Sequence, residues 1–224
     1  MATSDTYTFN LDVDSIIQEA SEYLGGEVTL GHEVESAKRS MNLMLTDWQN
    51  RNINLWTVAT TAVSLTANVT AFDLDNSNLD VLNAVLRRDN RDLGMTRISM
   101  EEYLQINNKG QVGRPSQFAL RRARDKPVIH IYPIPENSTD QIKFEAIRKI
   151  QDVTKTAIEN VDIPTRFLPC MAMGLAYYMG IKRPNVPADR LTFLKANYEE
   201  LLSAAQLEDR ERTSLFVKPK LSIV

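Results

Sequence analysis

The apolar residues of this chain change period twice along its length, and that change limits the folds open to it. In the first fifty residues they recur at three- and four-residue steps, the spacing that lays one side of a helix against a core. From about Trp56 to Val161 they alternate with polar residues, as a half-buried strand requires. From Asp162 onward the helical spacing returns. Two helical segments at each end, bracketing a β insertion, argue for an α+β protein. Its helical bundle is formed by N- and C-terminal helices and carries an inserted antiparallel β domain.

Local signals refine that outline. Asp12 or Asp14 can cap a first helix bearing Ile16, Ile17, Ala20, Tyr23 and Leu24, which Gly25-Gly26 ends. A second helix follows Gly31, with Val34, Ala37, Met41, Met44, Leu45 and Trp48 on one side. The β-branched run Val58 to Leu65 reads as a strand, and a short one passes through Phe72 and Leu74. Leu82 to Arg88 and Gly94 to Ile98 flank Asp89-Asn90-Arg91-Asp92, a hairpin signal. Ser99-Met100-Glu101-Glu102 has the form of a capping box, so one short helix is expected there. Asn107 to Ser116 reads as a loop, Phe118 to Arg122 and Val128 to Tyr132 as a strand pair, and Ile142, Phe144 and Ala146 as a last strand. A polar linker, Lys155 to Asn160, leads to a helix with Phe167, Met171, Leu175, Tyr178 and Ile181. A fourth helix starts near Pro187, with Leu191, Leu194, Tyr198, Leu201, Leu202 and Ala205 on one side and Arg190, Lys195, Glu199 and Glu200 on the other. The expected divisions are residues 1–55 for the N-terminal helices, 56–161 for the β domain, 162–212 for the C-terminal helices and 213–224 for an extended tail.

Composition excludes more than it assigns. The 224 residues are 43% hydrophobic and 25% charged, a globular balance rather than a disordered or fibrous one. The net charge of −3 argues against a general nucleic-acid coater, which needs an excess of cations to neutralise phosphate. The charge is unevenly spread, however. Residues 1–50 hold two basic residues against nine acids, whereas residues 87–126 hold ten basic residues against five acids. Arg87, Arg88, Arg121 and Arg122 are therefore candidates to face DNA or an acidic neighbour, the alternative being solvated arginines on an open sheet. No segment reads as a signal peptide or a membrane span, and a soluble protein without a membrane partner is expected.

Reactive chemistry is not apparent. One cysteine forms no internal disulfide, and two distant histidines make no metal cluster, so neither metal nor cofactor is expected. Cys170 lies in an apolar helical run, His130 between Ile129 and Ile131 of a strand, and His32 in a helical first turn. The adjacent acids Glu101-Glu102 and Glu199-Glu200 point to different sides of their helices and suit a solvated surface better than a catalytic pair. The last twelve residues are the oddity: they carry Leu215, Phe216, Val217, Leu221, Ile223 and Val224 around a proline. Such a segment either folds back over the bundle or docks on a partner surface.

The order of several motifs resembles the head-to-tail adaptors of short-tailed bacteriophages, of the tail tubular protein A type. These are Ala37 through Leu45 leading to Trp48-Gln49-Asn50-Arg51-Asn52-Ile53-Asn54-Leu55-Trp56, the Arg114-Pro115-Ser116 loop, and Tyr132-Pro133-Ile134-Pro135. Asp162-Ile163-Pro164-Thr165-Arg166-Phe167, opening the helix with Ala176-Tyr177-Tyr178, completes the set. Where related chains often have glycine before the isoleucine of the Asn-Arg turn, this one has Asn52, which tolerates positive φ.

The resemblance implies a virion structural protein at the head-tail junction, made in the host cytoplasm and without enzymatic activity. It implies a ring, commonly twelvefold, between portal and tail nozzle, with DNA passing through the bore. It also gives the apolar tail a partner: Leu215, Phe216, Val217, Leu221 and Ile223 would anchor on the portal. Two other classes stay open on the residues alone. An adaptor-like tail protein with peptidoglycan hydrolase activity would need a carboxylate pair in a cleft, and a DNA-binding module would need a cationic surface.

Overall fold

The computed structural model describes residues 5, 9, 11–26, 31–53, 55–154 and 160–209. In chain order these form α1 (Val13–Tyr23), α2 (Gly31–Asn50), β1 (Val58–Ser64), β2 (Ala71–Asp73), β3 (Asn78–Arg88), β4 (Arg91–Gly94) and β5 (Thr96–Arg97). There follow α3 (Met100–Gln105), β6 (Val112–Gly113), β7 (Gln117–Arg121), β8 (Val128–Tyr132), β9 (Ile134–Pro135), β10 (Gln141–Arg148), α4 (Leu168–Gly180) and α5 (Ala188–Glu208). The protein is thus of the mixed α+β class. It divides into two compact units, Met1–Met44 with Val153–Val224, and Leu45–Asp152.

The first unit joins helices from both ends of the chain. Asp12 caps α1, accepting from the Ser15 N–H at 2.8 Å. The helix closes where the Gly25 N–H donates to Glu22 and the Gly26 N–H to Ser21. That reversal needs the left-handed backbone of Gly25, φ +78°, which a glycine adopts without steric cost. The re-entering chain is tied to α2 by Asn42, whose side chain donates to the Val153 carbonyl at 3.0 Å and accepts from its N–H at 2.8 Å. Helix α4 packs against α1 and α5 and buries residues on more than one side, including Cys170, Met171, Leu175, Ala176 and Met179. At Gly174 the approach is closest. A methyl group there would lie 2.6 Å from the Tyr198 ring of α5 and 2.7 Å from the Met44 sulfur of α2. Both neighbours are fully buried, so neither can swing away.

In the second unit, β1-β10-β3-β4 form one sheet and β2-β8-β7-β5 another, with β6 and β9 as a small pair. Val81, Ala84, Leu86, Ile142, Phe144 and Ala146 of the first sheet share a core with Phe118, Ile129 and Ile131 of the second. Alternation on β10 is regular, Ile142, Phe144 and Ala146 all pointing inward. On β3 it is broken: Asn83 pairs with Glu145 but Val81 with Ala146. The resulting bulge throws Leu82 outward and brings Val81 in, so that the strand runs back to Asn78 rather than starting at Leu82.

Two sequence expectations are corrected here. The hairpin turn is only Asp89-Asn90, both at positive φ (50° and 60°), and Arg91 already belongs to β4. The sheets are also not wholly antiparallel, since β5 pairs with β7 and β6 with β9 in parallel. The chain leaves the first sheet after Gly94, and α3 with its loop then provides the crossover a parallel pair requires. Most of the polar linker (155–159) and the whole tail (213–224) lie outside the described residues.

A Gly174→Ala variant should lose about 1–3 kcal/mol of stability through overpacking, read as a lower midpoint in urea unfolding.

Candidate interaction surface

Among the described residues, the arginines flagged in the sequence are mostly committed to carboxylates. Arg88, at the end of β3, grips Asp140 with two groups, Nε at 2.9 Å and Nη2 at 2.6 Å, and reaches Glu136 with Nη1 at 2.6 Å. The Asp140 side chain is 1% exposed, and its carbonyl accepts from the Leu65 N–H at 2.9 Å. The bonds to Asp140, then to Glu136, raise the Arg88 pKa above its ordinary value. Arg87 and Asp92 sit directly opposite each other on β3 and β4 and pair through two bonds of 2.6 and 2.7 Å. The Arg87 bond holds the Asp92 carboxyl below the usual carboxylate range.

Asp80 is a second node. It accepts from Arg97 at 2.8 Å, from Arg122 and from the Val81 N–H. Beside it lies an open cleft of about 440 Å³, whose wall includes Asp80, Arg122, Arg124, Asp125 and Lys149. A carboxylate already held by two guanidinium groups and an amide is poorly placed to act as a nucleophile. Arg121, the fourth flagged arginine, is exposed at the end of β7. The arginines therefore do not form one bare cationic strip.

The remaining reactive side chains are quiet. Cys170 is buried, its Sγ 3.1 Å from the Phe167 carbonyl, and burial pushes its thiol up to about 12. It is protonated and inert at neutral pH. His130 lies on β8 with its ring 5.3 Å from that of Tyr103. Burial, followed by the charge of Arg121, lowers its pKa. His32 is exposed in the first turn of α2. Among the described residues no cluster of His, Cys, Asp or Glu could hold a metal ion, and no helix is long and apolar enough to cross a membrane.

Sequence reasoning found the arginines but not their partners. Arg87–Asp92 follows from the hairpin signal, five residues apart. The partners of Arg88 and Arg122 lie 42 to 52 residues away, where only strand order brings them together. The apolar tail residues Leu215, Phe216, Val217, Leu221 and Ile223 lie outside the described residues.

Comparison with known proteins shows that the family model described as SU10 adaptor protein matches residues 11–218. No curated protein matches the chain.

Two measurements check the electrostatics. Arg88→Ala, which strands a buried carboxylate, should cost about 3 kcal/mol or more, whereas Arg87→Ala, at an exposed pair, should leave the unfolding midpoint nearly unchanged; chemical denaturation separates them. The folded pKa of His130 lies below its ordinary 6.5, so the unfolded chain takes up the proton more readily. The His130 contribution is thus intact above about pH 6.5 and lost as the pH falls below it. His130→Gln should flatten the pH dependence of the unfolding midpoint between pH 7.5 and 5.5.

Proposed function

Because the chain belongs to the SU10 adaptor protein family of phage head-to-tail adaptors, we propose that it joins the portal of the filled capsid to the tail nozzle and lets DNA pass between them. A phage structural adaptor is a component of the virion, and its partners are other virion components. In this reading the protein forms a closed ring, twelvefold in stoichiometry, at the head-tail junction, and works by binding rather than catalysis. The observation that carries it is the family match, which spans nearly the whole chain rather than one motif.

The parts of the molecule have assigned tasks in this proposal. In it the N- and C-terminal helices make a bundle, with the β domain and the extended tail as its further parts. Leu215, Phe216, Val217, Leu221 and Ile223 order on the portal, where their apolar side chains find the surface they lack in a lone chain. Many tails acting together in a ring raise the effective concentration of each contact, so a weak single anchor makes a durable joint. Arg87, Arg88, Arg121 and Arg122 are the DNA-facing candidates. Because Arg87, Arg88 and Arg122 are paired with carboxylates, duplex moving past them meets little net charge. Weak contact of that kind suits a conduit, since each phosphate gripped adds to the binding that ejection must undo.

Removing Thr213 to Val224 should abolish attachment to portal-bearing capsids while leaving the far-ultraviolet circular dichroism of the chain near that of the full protein. Attachment that survives the deletion would sink the anchoring role.

A further inference from the structure

Helix α5 carries two apolar stripes, and its own unit covers only one. Leu194, Tyr198, Leu202 and Ala205 are buried. On the opposite side Phe193 is 58% exposed and Leu207 56% exposed. They stand fourteen residues apart, close to four turns, so both lie on one row about 21 Å long. Ala196 and Ala204, also exposed, lie on that row, with Glu200 at its midpoint. A surface helix ordinarily turns a charged side to water. Single exposed apolar residues need no explanation, but an aromatic and a leucine joined by alanines on one row mark a contact surface.

Helix α2 offers a complementary pair. Leu43 is 60% exposed, and Arg39, one turn before it, is exposed as well. Both residues fall in the same unit as α5. Among the described residues, neither Arg39 nor Glu200 has an ion-pair partner. Four residues separate Arg39 from Leu43, and four separate Glu200 from Ala204 and from Ala196. An Arg39–Glu200 pair would therefore seat Leu43 over an alanine, a knob over a hole, whichever way the two helices run.

We infer that the outer row of α5 in one copy of this chain docks on the Arg39 and Leu43 pair of α2 in the next. The inference rests on the ring reading and identifies the contact that builds the ring. The charges select this arrangement over a symmetric α5-to-α5 dimer. Glu200 is equidistant from Phe193 and Leu207, so a symmetric α5-to-α5 contact would set Glu200 against Glu200, a like-charge clash. Pairing α5 with α2 replaces that clash with an attraction. Because the contact joins two different surfaces, each copy can hold one neighbour by α5 and the other by α2, as closed rings require.

Charge reversal tests the contact by native mass spectrometry and sedimentation of the full chain. Association is read for the chain alone and, if the wild type assembles only there, as copies bound per portal-bearing capsid. Glu200→Arg and Arg39→Glu should each weaken self-association by about tenfold or more, with circular dichroism unchanged because both sites are exposed. The double variant should recover most of the loss. A mixture of the two single variants should co-assemble, since each presents the charge the other needs on both faces.

Assembly that ignores every reversal overturns the docking surface and leaves the ring reading intact. Rescue by the double variant in an open filament or a dimer keeps the contact and overturns the closed ring. A wild-type chain that stays monomeric in solution and binds capsids singly overturns both.

Discussion

At Gly174 helices from the two ends of the chain meet with no room for a methyl group. The Tyr198 ring and the Met44 sulfur both occupy the space a β-carbon would take. That approach makes one helical unit from segments more than a hundred residues apart, and it explains the composition of α4. A helix packed on more than one side has little use for charge, and Cys170, Met171, Leu175, Ala176 and Met179 are all buried there. The Asn42 clamp on Val153 complements this packing, because it satisfies both backbone groups of the residue at which the chain rejoins the unit.

In the β unit the organising constraint is electrostatic as well as apolar. Asp140 is a buried carboxylate, tolerable only because Arg88 meets it with two groups. Asp80 plays a comparable part nearer the surface by gathering Arg97 and Arg122. Arginines that look like a cationic surface in the sequence are in large part structural, tying strand ends and loops to one another. The consequence is that Arg87, Arg88, Arg97 and Arg122 each meet a carboxylate of their own unit.

The chain belongs to a family of phage structural adaptors. Its cysteine is buried and protonated, its strand histidine is biased toward the neutral form, and the best-placed carboxylates are engaged by guanidinium groups. What is left exposed is contact area: the outer row of α5 and the Arg39 and Leu43 pair of α2. Side chains that serve interfaces need no perturbed reactivity, only complementary shape and charge.

The sequence by itself determined the local elements, because their causes are local. Asp12 as a cap, the Ser99–Glu102 capping box, the reversal at Gly25 and the alternation of β10 all follow from residues a few positions apart. The motif order also carried the resemblance that the family match supports. Tertiary structure alone decided the rest. The β3 bulge that exposes Leu82, the parallel pairs β5–β7 and β6–β9, and the bonding of Arg88 to Asp140 across 52 residues depend on strand order, which no short window contains. The same holds for α5. The row Leu191 to Ala205 is visible in the sequence as one apolar side, but the meaning of Phe193 and Leu207 is not. A residue's exposure is set by what packs against the other side of its helix, and that neighbour, α4, is placed by the close approach at Gly174.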